Sequence, residues 1–168
     1  RVFTSAVDLT GYLYWSTGTL QITFSGLNRA RRYTFALYGS RADASPTYTE
    51  RWTDVYLRSM YIENVEATNT SSVGVQRIHD TFGETSRLVA ANANGQIARW
   101  EHIRPNSDSY FGSSGEITVM ITANGTNGQS RAYVQAFMLA EDGALSDFDD
   151  SGMADGWELR HGLDPLSS

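Results

Sequence analysis

The stretch Leu20-Gln-Ile-Thr-Phe-Ser-Gly-Leu-Asn-Arg-Ala-Arg-Arg-Tyr-Thr-Phe-Ala-Leu-Tyr38 decides the fold class of this chain. Large apolar side chains occupy every second position of residues 20–24 and again of residues 33–37. Successive side chains of a β-strand point to opposite faces, so this alternation is typical of a strand with one buried face. The stretch therefore predicts two strands joined by a turn at residues 26–31.

The same pattern continues on the C-terminal side of this pair. Further strands are predicted within residues 48–56, 60–62, 95–103, 116–122 and 131–140, with Gly- and Asn-rich loops between them, whereas residues 76–90 fit no single pattern. No long helical periodicity precedes residue 150. Short strands at this spacing predict an all-β, antiparallel β-sandwich, jelly-roll-like in its connections.

A change of pattern at residues 141–144 marks a boundary, because the alternation stops there and acidic residues cluster. We therefore expect a β-sandwich module over residues 1–141 and a separate tail over residues 142–168, formed by a calcium loop and a short helix.

The tail contains Asp147-Phe-Asp-Asp-Ser-Gly-Met-Ala-Asp-Gly-Trp-Glu158, which has the ligand order of an EF-hand-type calcium loop. Calcium takes six to eight oxygen ligands, so a short loop must point alternate side chains inward. Gly152 provides the sharp turn that the middle of such a loop needs. The alternative is a solvated acidic turn. The predicted Ca²⁺ ligands are Asp147, Asp149, Ser151, the backbone carbonyl of Met153, Asp155 and Glu158.

A short helix is predicted directly after the loop, over residues 157–161, with Gly162 as its C-cap and Pro165 beyond it. The string Asp149-Asp-Ser-Gly-Met-Ala-Asp-Gly-Trp-Glu-Leu-Arg-His-Gly-Leu-Asp-Pro165 resembles the opening of thrombospondin type 3 repeats of bacterial secreted proteins. The resemblance implies a calcium-stiffened linker to adjacent domains of a larger, extracellular or cell-surface protein.

A second resemblance covers much of residues 20–140. Residues 26–41, followed by Arg51-Trp-Thr53, Gly95-Gln-Ile-Ala-Arg-Trp100 and Gly115-Glu-Ile-Thr-Val119, are similar to a β-sandwich module of secreted multidomain bacterial proteins. Such modules often accompany polysaccharide-degrading enzymes. The resemblance implies an accessory domain like a carbohydrate-binding module, without catalytic activity of its own.

Composition narrows the function classes. The net charge of −6 does not favour nucleic acid as a partner, and no apolar run of about eighteen residues predicts a membrane span. Neither Gly-x-Ser-x-Gly nor His-Glu-x-x-His occurs, and the acidic residues before the tail are scattered. We therefore expect a protein that is not an enzyme.

Aromatic and Arg residues supply the candidate ligand contacts. Sugar rings pack their C–H faces on aromatic rings, and their hydroxyls bond to polar side chains. All 13 basic residues are Arg, which reflects either genomic composition or a use of guanidinium groups that bind carboxylates or stack on rings. Core packing is the alternative role for the tryptophans. The candidate carbohydrate contacts are Tyr48, Arg51, Trp52, Trp100, Tyr110 and Arg41.

Two functions follow from these observations. The first is a carbohydrate-binding β-sandwich whose partner is a polysaccharide or glycan. The alternative is a structural or assembly module, such as a surface-layer, adhesin or filament subunit. The few strands predicted before residue 26 favour self-association, because an open sheet edge can accept a strand from a neighbouring copy.

Overall fold

The fold is all-β in the computed structural model, which describes residues 11–41, 46–58, 67–80, 83–106, 115–126, 128 and 130–142. Within these residues, no helix is long and apolar enough to cross a membrane. A 3₁₀ helix, Pro46–Glu50, precedes the fourth strand. The described strands are β1 Leu13–Trp15, β2 Thr19–Phe24, β3 Tyr33–Tyr38, β4 Arg51–Leu57, β5 Thr68–Asn69, β6 Gln76–Asp80, β7 Gly83–Val89, β8 Ile97–Ile103, β9 Ile117–Gly125, β10 Ala132–Val134 and β11 Ala136–Glu141.

The strands form two sheets and a ribbon, and every pairing is antiparallel. One sheet has the order β2-β9-β4-β7-β6, and the other has the order β11-β3-β8-β5. Strands β1 and β10 form the separate two-stranded ribbon. The chain passes from one sheet to the other after β2, β3, β4, β5, β7 and β8.

Among the described residues, one buried cluster receives side chains from both sheets. Phe35, Leu37 and Trp100 come from the four-stranded sheet and are fully buried. Val55 and Leu88 come from the five-stranded sheet and belong to the same cluster. Burying each such large apolar side chain contributes about 1.5–3 kcal/mol. The two sheets therefore face each other across a shared core, as in an antiparallel β-sandwich.

The two strands predicted at residues 20–24 and 33–37 are confirmed as β2 and β3, with one difference in burial. Strand β2 alternates between exposed and half-buried residues as expected. Strand β3 is buried on both faces, since Thr34 and Ala36 are only 8% and 0% exposed. Ala36 lies in register between Met138 and Arg99 of the flanking strands, and their longer side chains leave a small residue little contact with solvent.

The strand predicted to begin at Tyr48 begins at Arg51 instead. Tyr48 lies within the 3₁₀ helix Pro46–Glu50. Proline has no backbone N–H to contribute to a sheet and has a φ that suits the first turn of a helix. Tyr48 therefore lies outside the alternation of β4.

The unassigned residues 76–90 contain the β6–β7 hairpin, in which Arg77 pairs with Ser86. Its pattern is hard to recognise because the inward position Ser86 is polar and fully buried. The Ser86 hydroxyl is bonded to the Asn69 amide at 2.7 Å and the Ser71 hydroxyl at 2.8 Å. Burial of a polar residue without a hydrogen bond would be costly, and this network avoids that cost.

Two further strands agree with expectation, and one is divided. Predictions at residues 95–103 and 116–122 correspond to β8 and β9. The predicted strand at residues 131–140 is interrupted at Gln135, where the chain passes from the ribbon to the four-stranded sheet. The last described strand ends at Glu141. The predicted strand at 60–62 and all of the predicted tail (142–168) except its first residue lie outside the described residues.

Candidate functional site

A group of four tyrosines and two arginines lies beside the β1–β10 ribbon. Rings and guanidinium groups contact one another throughout this group, which we call the tyrosine–arginine cluster. Its members come from the ribbon, from the residues after β3, from the 3₁₀ helix and from the start of β4. They are Tyr12, Tyr14, Arg41, Tyr48, Arg51 and Tyr133.

The tyrosines at the ribbon pack against one another around one stacked pair. Tyr14 pairs with Tyr133 across β1 and β10, and cross-strand partners share a face. Their rings are stacked with centroids 6.3 Å apart, and the Tyr12 ring lies 5.8 Å from that of Tyr133. Tyr133 is 3% exposed, whereas Tyr12 and Tyr14 are 37% and 59% exposed. Two accessible rings are thus supported by a buried one.

Arg51 links the stack to the 3₁₀ helix. Its guanidinium carbon Cζ lies 4.8 Å from the ring centroid of Tyr48, and its Nη1 donates a hydrogen bond to the Tyr133 hydroxyl at 3.0 Å. Tyr48 also meets Tyr133 edge to face, with centroids 6.5 Å apart. A cation above an aromatic face is attracted by the ring quadrupole, so these contacts hold the two rings in place.

Arg41 lies between rings that belong to different elements. Its Cζ is 5.0 Å from the Tyr12 centroid and 5.6 Å from the Tyr48 centroid. A side-chain hydrogen bond to Tyr48 is the largest cause that raises the pKa of Arg41 above its ordinary value. Among the ion pairs between described residues, none involves Arg41. Arg41 therefore stays charged, and within the described residues this charge is in contact with aromatic rings rather than paired with a carboxylate.

The backbone beneath the cluster is tightly constrained. The N–H of Arg41 donates to the Ala90 carbonyl at 2.7 Å. The N–H of Tyr133 donates to the Thr53 hydroxyl at 2.9 Å, and that hydroxyl donates to the Tyr133 carbonyl at 3.3 Å. A Cβ on Gly39 would overlap the Tyr133 carbonyl oxygen, so the chain before Arg41 passes directly against β10. The backbone positions of Arg41 and Tyr133, from which their side chains extend, are therefore fixed.

Trp52 lies on the other face of β4 from Arg51, because neighbouring strand residues alternate. The Cζ of Arg87 is 4.8 Å from the Trp52 ring centroid. Arg87 in turn donates two hydrogen bonds of 2.7 Å to Asp54, and the Asn124 amide donates to the same carboxylate at 2.8 Å. Trp52 therefore belongs to a second aromatic and polar group, on the outer face of the five-stranded sheet.

The structure separates the six predicted carbohydrate contacts. It brings Arg41, Tyr48 and Arg51 together in the cluster and directs Trp52 away from it. Trp100 is 0% exposed within the core, so its ring cannot stack on a ligand in this structure. Tyr110 lies outside the described residues.

Three cluster members were not predicted from the sequence. Tyr12 and Tyr14 occupy alternate positions of Gly11-Tyr-Leu-Tyr-Trp15, which is a usable signal for a strand with one aromatic face. Tyr133 is distant in sequence, and its pairing with Tyr14 depends on the formation of the ribbon.

An open apolar groove of about 570 Å³ lies beside the ribbon, next to Tyr12. It runs between β2 and β11, which are edge strands of their sheets within the part of the chain that the structure describes. Leu13 and Phe137 are 55% and 47% exposed there. The groove is lined by Gly11, Tyr12, Leu13, Leu20, Ile22, Val134, Gln135, Ala136 and Phe137.

Metal ligands were predicted only in the tail. Across the described residues, no group of three or more His, Asp or Glu side chains is placed to hold a metal ion. The predicted calcium ligands Asp147, Asp149, Ser151, Met153, Asp155 and Glu158 lie outside those residues.

Comparison with family models, curated proteins and solved structures finds no match of any of the three kinds. The chemistry of the candidate site therefore has to be argued from its own side chains. The tyrosine–arginine cluster offers accessible aromatic faces, phenol hydroxyls and guanidinium donors within one surface. These are groups that bind a polar ring with an apolar face.

Proposed function

We propose that this chain is a non-catalytic, glycan-binding β-sandwich module of a secreted protein, with a calcium-stiffened C-terminal linker. The observation that carries the proposal is the tyrosine–arginine cluster. Accessible rings and polar donors meet there on a rigid base, which is the combination that a sugar ring requires.

The stack of tyrosines suits stacking against a pyranose ring. Tyr14 is 59% exposed while its other face rests on the buried ring of Tyr133. A tyrosine has two rotatable side-chain bonds, so ordering it for binding costs little conformational entropy. Because the stack already restrains Tyr14 in the free protein, little further conformational entropy is lost when a ligand binds.

The order of the strands supports a jelly-roll connection. The chain changes sheet after most of its strands, and β9 returns to lie between β2 and β4. Jelly rolls combine two such sheets through Greek-key connections. We assign this connectivity to the module as part of the proposal.

The calcium linker is proposed on the sequence of the tail. Residues 147–158 carry oxygen ligands at the EF-hand positions, and Glu158 is long enough to bind with both carboxylate oxygens. Weak, rigid calcium sites work where calcium is millimolar, and this supports an extracellular location.

Titration calorimetry with a panel of soluble polysaccharides tests glycan binding. Tyr14→Ala should weaken binding of the responding glycan about tenfold, a loss of about 1.4 kcal/mol. Trp52→Ala is the matched control, because it removes an aromatic ring from the face of β4 that points away from the tyrosine–arginine cluster. If Trp52→Ala abolishes binding and Tyr14→Ala does not, the site lies on the outer sheet face. If no glycan binds the unchanged chain, the proposal is wrong.

The apolar groove favours a second function, an assembly module that binds another copy of this chain. Edge strands β2 and β11 flank the groove, and an edge strand presents unpaired backbone groups to a neighbour. A second copy could place its own exposed Leu13 and Phe137 against the same surface, as in a two-fold dimer. Light scattering over a concentration series should then detect a dimer that Leu13→Ser disrupts. A monomer at all concentrations would exclude this function.

A further inference from the structure

We propose that the tyrosine–arginine cluster selects acidic glycans, whose carboxylate or sulfate groups bind to Arg41. This inference rests on the proposed function of the same site and specifies its ligand class. Three observations support it: the charge of the cluster, the way in which Arg41 is held, and the contrast with the Trp52 group.

The cluster brings two arginines together in a protein of net negative charge. Its six residues include two guanidinium groups and no carboxylate, whereas the chain as a whole has a net charge of −6. Among the described residues, the phenols of Tyr12, Tyr48 and Tyr133 are the neighbouring groups that raise the pKa of Arg41. An anionic polymer is repelled by the protein's overall charge, so its attraction is concentrated at this surface.

The contacts of Arg41 leave guanidinium N–H donors for an acidic group of the ligand. The guanidinium carbon Cζ lies 5.0 Å from the ring centroid of Tyr12 and 5.6 Å from that of Tyr48. The five N–H donors lie in the guanidinium plane and form a fork that matches a carboxylate. A hydrogen bond to Tyr48 occupies part of this fork. The two rings and this hydrogen bond restrain the guanidinium, and the remaining donors of the fork are the ones that we assign to the ligand.

In the Trp52 group, by contrast, the arginine is paired with a carboxylate of the protein. Arg87 has a ring beneath it too, yet its Nε and Nη2 atoms are already bonded to Asp54 at 2.7 Å each. That guanidinium is neutralised by a carboxylate of the protein itself. Of these two arginines, Arg41 is the one for which a ligand would supply the negative charge.

Matched pairs of polysaccharides test the inference. Oligogalacturonate and its fully methyl-esterified form share ring and hydroxyls but differ in charge, and a sulfated galactan with its desulfated form extends the comparison to sulfate. Calorimetry should show each acidic member bound about tenfold or more tightly than its neutral partner. The difference should shrink at high ionic strength because salt screens charge pairs at the surface.

Arg41→Gln should reduce the affinity for the acidic member about tenfold, to that of the neutral one, and leave the neutral affinity unchanged. Arg29→Gln is the control, since it makes the same charge change at an exposed position in the turn before β3. Arg41→Lys should keep part of the preference, because the charge remains while the planar fork is lost.

The outcomes separate the two proposals. Equal affinity for acidic and neutral members would overturn the acidic preference and leave glycan binding intact. An equal loss in Arg29→Gln and Arg41→Gln would also overturn it, since the attraction would be one of net charge alone. Binding of neither member of either pair, or of any other glycan in the panel, would overturn both.

Discussion

Arg87 forms a bidentate ion pair with Asp54, in which Nε and Nη2 each lie 2.7 Å from a carboxylate oxygen. The two residues are cross-strand partners in β4 and β7, and their side chains are 20% and 10% exposed. Asn124 donates a third hydrogen bond to the carboxylate from β9. The pair thus joins the three central strands of the five-stranded sheet.

Asp54→Ala should lower the free energy of unfolding by about 2 kcal/mol, because it leaves the partly buried Arg87 without its carboxylate. Glu141→Ala is the control. It removes the partner of Arg31 from an exposed pair whose side chains are 60% and 42% exposed, and its effect should stay within about 0.5 kcal/mol. Urea denaturation of both variants measures the difference, and equal effects would contradict the prediction.

Gly39→Ala should destabilise the protein by about 1–3 kcal/mol. The added methyl group would overlap the carbonyl oxygen of Tyr133, and both groups belong to backbone that cannot easily move. Gly11→Ala is the matched control, because a Cβ there meets no atom within 4 Å. Thermal unfolding should show a lower Tm for the first variant alone. A similar Tm for both would mean that β10 can shift away from residue 39.

Asp142→Ala should loosen the end of the four-stranded sheet. The Asp142 carboxylate accepts hydrogen bonds from the Thr34 hydroxyl at 2.7 Å and from the His102 N–H at 3.1 Å, and it lies 2.8 Å from the His102 Nδ1. His102 has a φ of 59°, a left-handed conformation that is unfavourable for a residue with a side chain. The carboxylate therefore stabilises a strained position.

Loss of these bonds should cost about 2 kcal/mol and accelerate hydrogen exchange at the His102 amide. Glu141→Gln changes the neighbouring acidic residue and should leave that exchange rate unchanged. If exchange at His102 is the same in Asp142→Ala as in the unchanged chain, the strained backbone does not depend on this carboxylate.

Calcium should bind the tail with one-to-one stoichiometry in calorimetry, and Glu158→Gln should weaken or abolish the binding, because position twelve of such a loop supplies a bidentate ligand. Chelation should accelerate proteolysis within residues 145–165 while the β-sheet circular dichroism stays unchanged. Unfolding of the whole chain on chelation would contradict a linker role for the tail.

The sequence predicted those strands whose inward positions are apolar. The predictions over residues 20–24, 95–103 and 116–122 correspond to β2, β8 and β9, because these strands pack one apolar face on the core. The same reasoning could not assign β7, where the inward position Ser86 is polar. Its burial is made possible by hydrogen bonds with Asn69 of β5 and with Ser71, which follows β5. Local periodicity does not contain that information.

The candidate site was predicted only in part, for a related reason. Tyr48, Arg51 and Trp52 are close in sequence, and a shared site was expected of them. Arg51 and Trp52 are neighbours in β4, so their side chains point to opposite faces of the sheet. Tyr14 and Tyr133 meet only because β1 pairs with β10, and such pairing of distant segments is set by tertiary structure rather than by either segment alone.

The order of the strands also determines how this chain has to fold. Among the described pairings, β6 with β7 is the one that joins consecutive strands, while β2 must find β9 and β3 must find β11 across most of the sequence. Long-range pairing of this kind slows folding, since loop closure has to precede the contacts that reward it. Neither sheet is complete before β9 and β11 have been synthesised. A nascent chain that ends before β9 would therefore leave β2 and one edge of β4 without their partner strand and open to chaperones or to other chains.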